Sequence, residues 1–470
     1  MSSQQRISGS ELRRSLNINI LAITFGMVFF TVFGAPVGSP LFTGFMRSLG
    51  AGDLVYGIVM ALPVLGALAQ ILGSYFLEST GKRKLLFLAA GFVHRFLWIP
   101  VALIPLLVPA VHQSVRIWSI TLLITISAIA NSVATTAFWS WMGALVPMEI
   151  KGRFFSNRTM ISTIAAAVTA PIVSYVVDRV HGFNGFAVIF TVAALFGAAD
   201  IFCFIFIKNP VMELPKEKTP LLKLFFEPFT NRNYMRYITF VTVWCFGVNF
   251  AAPFFNVYMI EHLKMSYLTL ALFAQVGGNI TTILFIRRWG RLADLYGNKP
   301  VIKLCCSVIC ILPILWLFAT TENIWIVLLI NILAGLCWPG YEMAALNQSV
   351  WLAPEKNRSI YVAVYSLVTS VFGVAFAYIC GGAFMQYSRS FFHNLSLPFF
   401  LGQTLSSYHV LFLISSFVRL LALTVFLPRV REEHASSALQ VMNNICGFFT
   451  KKFNAKNGAT KKGGSRMTPF

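Results

Sequence analysis

The sequence predicts an all-α membrane protein of twelve transmembrane helices in two pseudo-symmetric six-helix halves, and three observations carry that expectation. The first is composition: 57% of the 470 residues are hydrophobic and only 11% are charged, with a mean hydropathy of +0.73, more apolar surface than a water-soluble domain can bury. The second is length: apolar runs of roughly twenty residues, containing Gly and Pro but few charges, recur along the chain. In hydrocarbon only helices and closed barrels satisfy every backbone group, and no period-two alternation points to a barrel. The third is repetition, because polar turns of the same kind follow the second and fourth runs of each half.

Taken in order, a polar lead precedes helix 1 (about Asn17 to Phe45), broken at Gly34-Ala35-Pro36 and Gly38-Ser39-Pro40. Such breaks survive in a membrane only where they face protein or water. Helix 2 (about Asp53 to Leu77), helix 3 (about Leu85 to Val108) and helix 4 (about Val115 to Val146) follow, and the turn Pro147 to Arg153 leads to helix 5 (about Phe154 to Val177) and helix 6 (about Phe186 to Ile207). Residues 1–208 form the first bundle. Residues 209–232, with Pro210, Pro215, Pro220 and Pro228 among charges, have the composition of a linker, within which Leu221 to Phe226 suits a short surface helix. The second bundle, 233–430, repeats the plan: helix 7 (about Tyr234 to Ile260), helix 8 (about Tyr267 to Trp289), helix 9 (about Val301 to Ala319), helix 10 (about Ile324 to Leu352), helix 11 (about Ser359 to Met385) and helix 12 (about His409 to Leu427). The basic tail, 431–470, is open between an interfacial helix and a frayed end.

The net charge of +21 is spread one short loop at a time, which argues against nucleic acid. Basic residues concentrate in alternate loops, whereas the opposite side carries little more than Arg47, Arg116, Arg179, Lys264 and Arg389. The positive-inside rule then places both termini in the cytoplasm and the chain in the cell membrane. Seven of the 8 cysteines fall in predicted helices without metal-ligand spacing and read as buried free thiols. No cleavable signal peptide is expected before helix 1.

The polar turn after helix 8 reads Gly290-Arg291-Leu292-Ala293-Asp294-Leu295-Tyr296-Gly297-Asn298-Lys299, and a weaker copy after helix 2 keeps Glu78, Gly81 and Arg83 at the same spacing. These stretches resemble the loop motif G-x-L-A-D-R-x-G-R-K of the major facilitator superfamily, which places it between helices 2 and 3 and between helices 8 and 9. The family arginine after the acid is Ser79 in one copy and Leu295 in the other, and the first glycine of the upstream copy is Ser74. The resemblance implies a secondary transporter with a midplane substrate site between the halves. Its inner-side latches would be Glu78, Gly81, Arg83, Arg153, Gly290, Asp294, Gly297, Lys299 and Arg358.

Ionisable groups at membrane depth need a reason. Glu342 on helix 10 lies roughly 18 Å from the inner turn at about 1.5 Å per residue. By the resemblance, helices 1, 4, 7 and 10 line the cavity, and some sugar and proton symporters carry an essential carboxylate on helix 10. A carboxyl in an apolar, partly dry cavity has its charged form disfavoured, so Glu342 is the candidate for proton coupling, set against a structural glutamate. Arg95 and Asp200 sit at similar depth on helices 3 and 6 and are expected to form a structural ion pair. Asn131, Thr135 and Trp139 on helix 4, Trp244, Asn249 and Asn256 on helix 7, and Trp338, Tyr341 and Glu342 on helix 10 are the candidate substrate-binding residues. Aromatic faces cover C–H patches and amides bond hydroxyls, which suits a sugar or nucleoside, although such residues also serve as interface anchors and helix joints. Ala166 to Pro171 on helix 5 is a degenerate form of the Gly-x-x-x-Gly-Pro motif of drug antiporters, both glycines having become alanine.

The expectation is proton-coupled uptake of a small polar solute by a monomer in the bilayer, with no cofactor and no metal. Efflux of lipophilic compounds and a non-transporting receptor of the same fold are the alternatives. No catalytic fingerprint supports an enzyme. No ATP site is present, so any pumping must draw on an ion gradient.

Overall fold

A computed structural model of the chain describes residues 9–33, 39–180, 182–210, 221–354, 358–395 and 405–432, and among them all regular structure is helical. The crossings are α1 (Gly9–Phe33, continued by a short piece, Pro40–Ser48), α2 (Asp53–Leu65 and Ala69–Thr80), α3 (Arg83–Leu107), α4 (Ala110–Leu145), α5 (Met148–Arg179), α6 (Phe183–Phe206), α7 (Arg232–His262), α8 (Tyr267–Tyr296), α9 (Asn298–Phe318), α10 (Trp325–Trp351), α11 (Ile360–Arg389) and α12 (Ser407–Arg429). Eleven described helices are long and apolar enough to cross a membrane by length and composition. The twelfth crossing, α2, is assembled from two shorter helices across a 3₁₀ turn, Gly66–Leu68. Pro63, just before that turn, has no N–H for the helical ladder.

Helix 1 is interrupted where its glycines and prolines predict. Ser39 caps the second piece, its Oγ accepting from the Phe42 N–H at 3.4 Å and donating to the Val32 carbonyl at 3.2 Å, and Pro40 occupies the first turn, where a missing N–H costs nothing. The second helix start differs from expectation: α5 begins at Met148, so the segment read as a turn through Arg153 is helical, and only Val146-Pro147 turns the chain. Proline at the N-cap is compatible with immediate helix initiation, which residue polarity alone does not reveal. Within the linker a short helix, Leu221–Thr230, packs against the starts of α7 and α11. The tail beyond 432 lies outside the described residues.

The two halves repeat in their packing. α1 contacts α5 and α6, α2 contacts α4, and α3 contacts α4 and α6; adding six to each label reproduces the second half, with α7 on α11 and α12, α8 on α10, and α9 on α10 and α12. The halves meet along α2–α11 and α5–α8. At the first seam a Cβ on Gly57 would lie 2.5 Å from the Tyr378 carbonyl oxygen and 3.1 Å from Gly382 Cα, so the backbones touch. At the second, Asp178 at the end of α5 accepts from the Tyr267 and Leu268 N–H groups at 3.0 and 2.9 Å, capping α8 from the opposite half.

An even number of crossings in each half puts the starts of α1 and α7 and the ends of α6 and α12 on one face, called here the terminal side. Lys208 after α6 bonds Glu11 and Ser15 at the start of α1, and Asn233 at the start of α7 exchanges two 3.0 Å bonds with the Arg431 backbone after α12. On this side lie both motif turns. Gly81 (φ +65°) and Gly297 (φ +93°) close α2 and α8 in backbone conformations open to glycine, each N–H returning to the carbonyl four residues back at 2.9 Å.

Candidate functional site

A cavity of about 450 Å³ opens within the second half between α7, α10 and α11. It gathers five of the nine substrate-binding candidates: Trp244, Asn249, Trp338, Tyr341 and Glu342. Tyr341 is the hub, its ring 5.3 Å from Trp244 and 5.7 Å, edge-on, from Trp338. The wall is rigid behind it, because Tyr237 donates to the Ala345 carbonyl at 2.5 Å and stacks on Tyr365 with the planes 7° apart. Asn249 donates through Nδ2 to the Cys245 carbonyl at 2.7 Å, which leaves its Oδ1 for another donor. Glu342 is exposed to the cavity and, among the described residues, has no hydrogen-bond or ion-pair partner.

Asn256 lies elsewhere, in a second cavity of about 410 Å³ between the halves. Asn131 and Thr135 are half-buried on α4 and line neither cavity, and Trp139 is 55% exposed with its ring 5.6 Å from Phe155 of α5. A wide cleft of about 1220 Å³ runs on the terminal side between α1, α5 and α8, reaching the surface at Arg13, Arg153 and Arg287.

In the first half the buried Arg95 and Asp200 side chains meet at 3.1 Å, with the guanidinium 4.6 and 4.9 Å from the Phe29 and Phe30 rings. Gly26 of α1 makes room for the pair, since a Cβ there would come within 2.8 Å of Asp200 Oδ2. His94 bonds Ser127 at 2.6 Å. Arg158 stands well inside α5, bonding Asn19 at 3.2 Å and facing Phe138. In the second half Arg419 of α12 donates to the Ile309 carbonyl of α9 at 3.1 Å, so both bundles tie the equivalent helix pair with a buried arginine.

The latch candidates all lie at the terminal side. Arg153, Asp294 and Arg358 are exposed, Arg83 is buried at the start of α3, Gly290 lies in the last turns of α8, and the Glu78 side chain lies outside the described residues. Lys299 is tied within its own half, Nζ reaching the Val430 carbonyl at 2.6 Å while Glu432 accepts from the Asn298 and Lys299 N–H groups at the α9 N-terminus. Among the described residues no ion pair crosses between the halves on this side.

On the far side such pairs do occur, in a ring that sequence reasoning missed. Arg47 meets Asp53 at 2.8 Å and Glu261 at 2.5 Å, and Arg389 meets Asp53 at 2.7 Å and Glu261 at 3.4 Å. Tyr408 bridges Arg389 and Glu261 at 2.6 and 3.3 Å. The ring is neutral, alternates in sign, and joins the α1–α2 corner to the ends of α7 and α11. The halves are thus sealed at the far side and parted at the terminal side.

Two repeated six-helix bundles around solute-sized cavities, sealed at one face and cleft at the other, define a membrane transporter rather than an enzyme. Residues 18–395 match the MFS_1 like family, and the chain belongs to it. Among solved structures it resembles the nucleoside transporter NupG (TM-score 0.67, 14% identity, covering 89% of this chain and 100% of that one). It also resembles a bacterial homologue of the human lysosomal transporter Spinster in an inward-facing, unoccupied conformation (0.61, 14%, 91% and 100%) and an auto-inhibited POT family peptide transporter (0.65, 10%, 90% and 99%). No curated protein matches the chain.

Proposed function

We propose that the protein is a proton-coupled secondary transporter that takes up a small polar solute by alternating access, acting as a monomer. One observation carries the reading: Glu342, with no partner among the described residues, stands in a cavity walled by Trp244, Trp338, Tyr341 and Asn249. The aromatic faces and the Asn249 carbonyl oxygen suit a solute with hydroxyls on an apolar frame, and the carboxyl is the group available to carry the coupling proton. With the basic loops in the cytoplasm the terminal side is the inner side. The molecule is then inward-facing, and the motif turns with Arg153 and Arg358 close the inner side in the alternate state.

The test is uptake into proteoliposomes from a mixture of hexoses and nucleosides, with and without an imposed pH gradient. Glu342→Gln is expected to keep solute exchange at equilibrium while losing accumulation driven by the gradient. Accumulation by the variant that still follows the pH gradient removes the coupling role.

A further inference from the structure

We infer that the linker helix, Leu221–Thr230, lies in the plane of the terminal-side leaflet and seats the second bundle on it, with Phe226 and Phe229 entering the boundary between phospholipid headgroups and acyl chains. The polar residues of this helix are Lys223, Glu227 and Thr230, spaced by four positions and then three, so they share one stripe. The other seven residues are apolar.

Packing divides the apolar surface in two. Pro228 is buried against the protein, whereas Phe226 and Phe229 are 59% and 40% exposed with their ring centroids 6.2 Å apart. At about 100° per residue, Pro228 lies about 130° round the helix from the midpoint of the two phenylalanines, and the polar stripe lies about 100° from it on the other side. The helix therefore has a side for protein, a side for water and an exposed apolar side. That division suits the membrane interface beside a protein wall, where water, lipid and protein meet along one axis.

The chain fixes the depth. Phe229 precedes Arg232, the first residue of α7, by three positions, a reach of at most about 11 Å. Asn231 between them caps α7, its Oδ1 accepting from the Asn233 and Tyr234 N–H groups at 3.2 and 3.1 Å, and Tyr361 at the start of α11 donates to Glu227 at 3.5 Å. The helix is thereby held at the level where two crossings of the second bundle begin. Charge favours phospholipid as the occupant. Arg232 and Arg236, one turn apart at the start of α7, have no ion-pair partner among the described residues, and guanidiniums at that level match lipid phosphates. A second copy of the chain seated on the same face would instead bring these arginines against their own kind.

The experiment places a spin label through Phe226→Cys, Phe229→Cys or Thr230→Cys, one at a time, in protein with the native cysteines replaced. In nanodiscs of phosphatidylcholine and phosphatidylglycerol, power saturation by oxygen and by a water-soluble nickel chelate then reads the depth of each label. Labels at 226 and 229 are expected about 5–10 Å below the phosphates, and the label at 230 at or above them. The unsubstituted protein gives an independent reading: a phosphatidylcholine with a diazirine near the ester end of one acyl chain should, after illumination and digestion, leave its adduct on the peptide holding Phe226 and Phe229. A label at 226 or 229 that meets the chelate as readily as the one at 230, or no adduct on that peptide, overturns the anchor. Strong dipolar broadening between labels at 226 in discs holding two copies puts a second chain on this face and overturns it as well.

Discussion

Glu261→Gln should open the far side. The substitution keeps the side chain's size but removes the carboxylate that Arg47 meets at 2.5 Å and Arg389 at 3.4 Å. The first contact lies between side chains 11% and 33% exposed, and a charge-assisted bond in such a setting contributes about 1.5–3 kcal/mol. The second involves a guanidinium 45% exposed and contributes about 0–1 kcal/mol. Only the first contact crosses between the halves, because Glu261 and Arg389 both belong to the second, so it alone favours the far-closed state and is lost when that side opens. Its loss, about 1.5–3 kcal/mol, shifts the population of the far-open state by roughly ten- to hundred-fold. The assay is a distance distribution between spin labels at Val111 and Glu322, exposed far-side positions on opposite halves, in nanodiscs with the native cysteines replaced. The variant should populate a longer distance. Arg47→Gln combined with Glu261→Gln should show a coupling of at least about 1 kcal/mol in a double-mutant cycle. An unchanged distribution together with additive effects would refute the ring as the far-side seal.

The Arg95–Asp200 pair yields a second expectation: Asp200→Asn strands a buried guanidinium and should cost about 3–5 kcal/mol, whereas Asp200→Asn with Arg95→Met should recover most of it, read as thermal unfolding in detergent. Gly57→Val drives two branches into the Tyr378 carbonyl, so the α2–α11 seam should part, giving the longer spin-label distance or a lower unfolding temperature; neither change would mean that the seam is loose.

Much of the fold is legible in the sequence because hydrocarbon imposes length on every crossing, and because Ser39-Pro40 and the motif glycines mark breaks by backbone chemistry alone. The depths of Arg95 and Asp200 follow from counting residues along two helices. The site is less legible. Hydropathy does not reveal which way a wholly apolar helix is turned, so the residues of α4 and those of α7 and α10 look alike until packing separates them. The stretch from Met148 to Arg153 reads as a turn because a helix that begins directly after Pro147 has a polar first turn. The far-side ring is invisible for another reason: charges at helix ends are inexpensive and therefore uninformative singly, and Arg389 finds Asp53 across 336 residues of chain.

The contact of Gly57 with Gly382 has a mechanical consequence. Gly57 is four residues into α2, about 6 Å from its far end, while Thr80 at the other end is about 35 Å away. If that contact were a fulcrum, a rotation of about 15° would sweep the terminal ends by about 9 Å and the far ends by under 2 Å. A lever so unequal can work the terminal side but cannot admit a solute at the other. Opening the far side therefore requires the glycines themselves to separate, and the pivot must migrate along the seam toward the terminal end as the cycle proceeds.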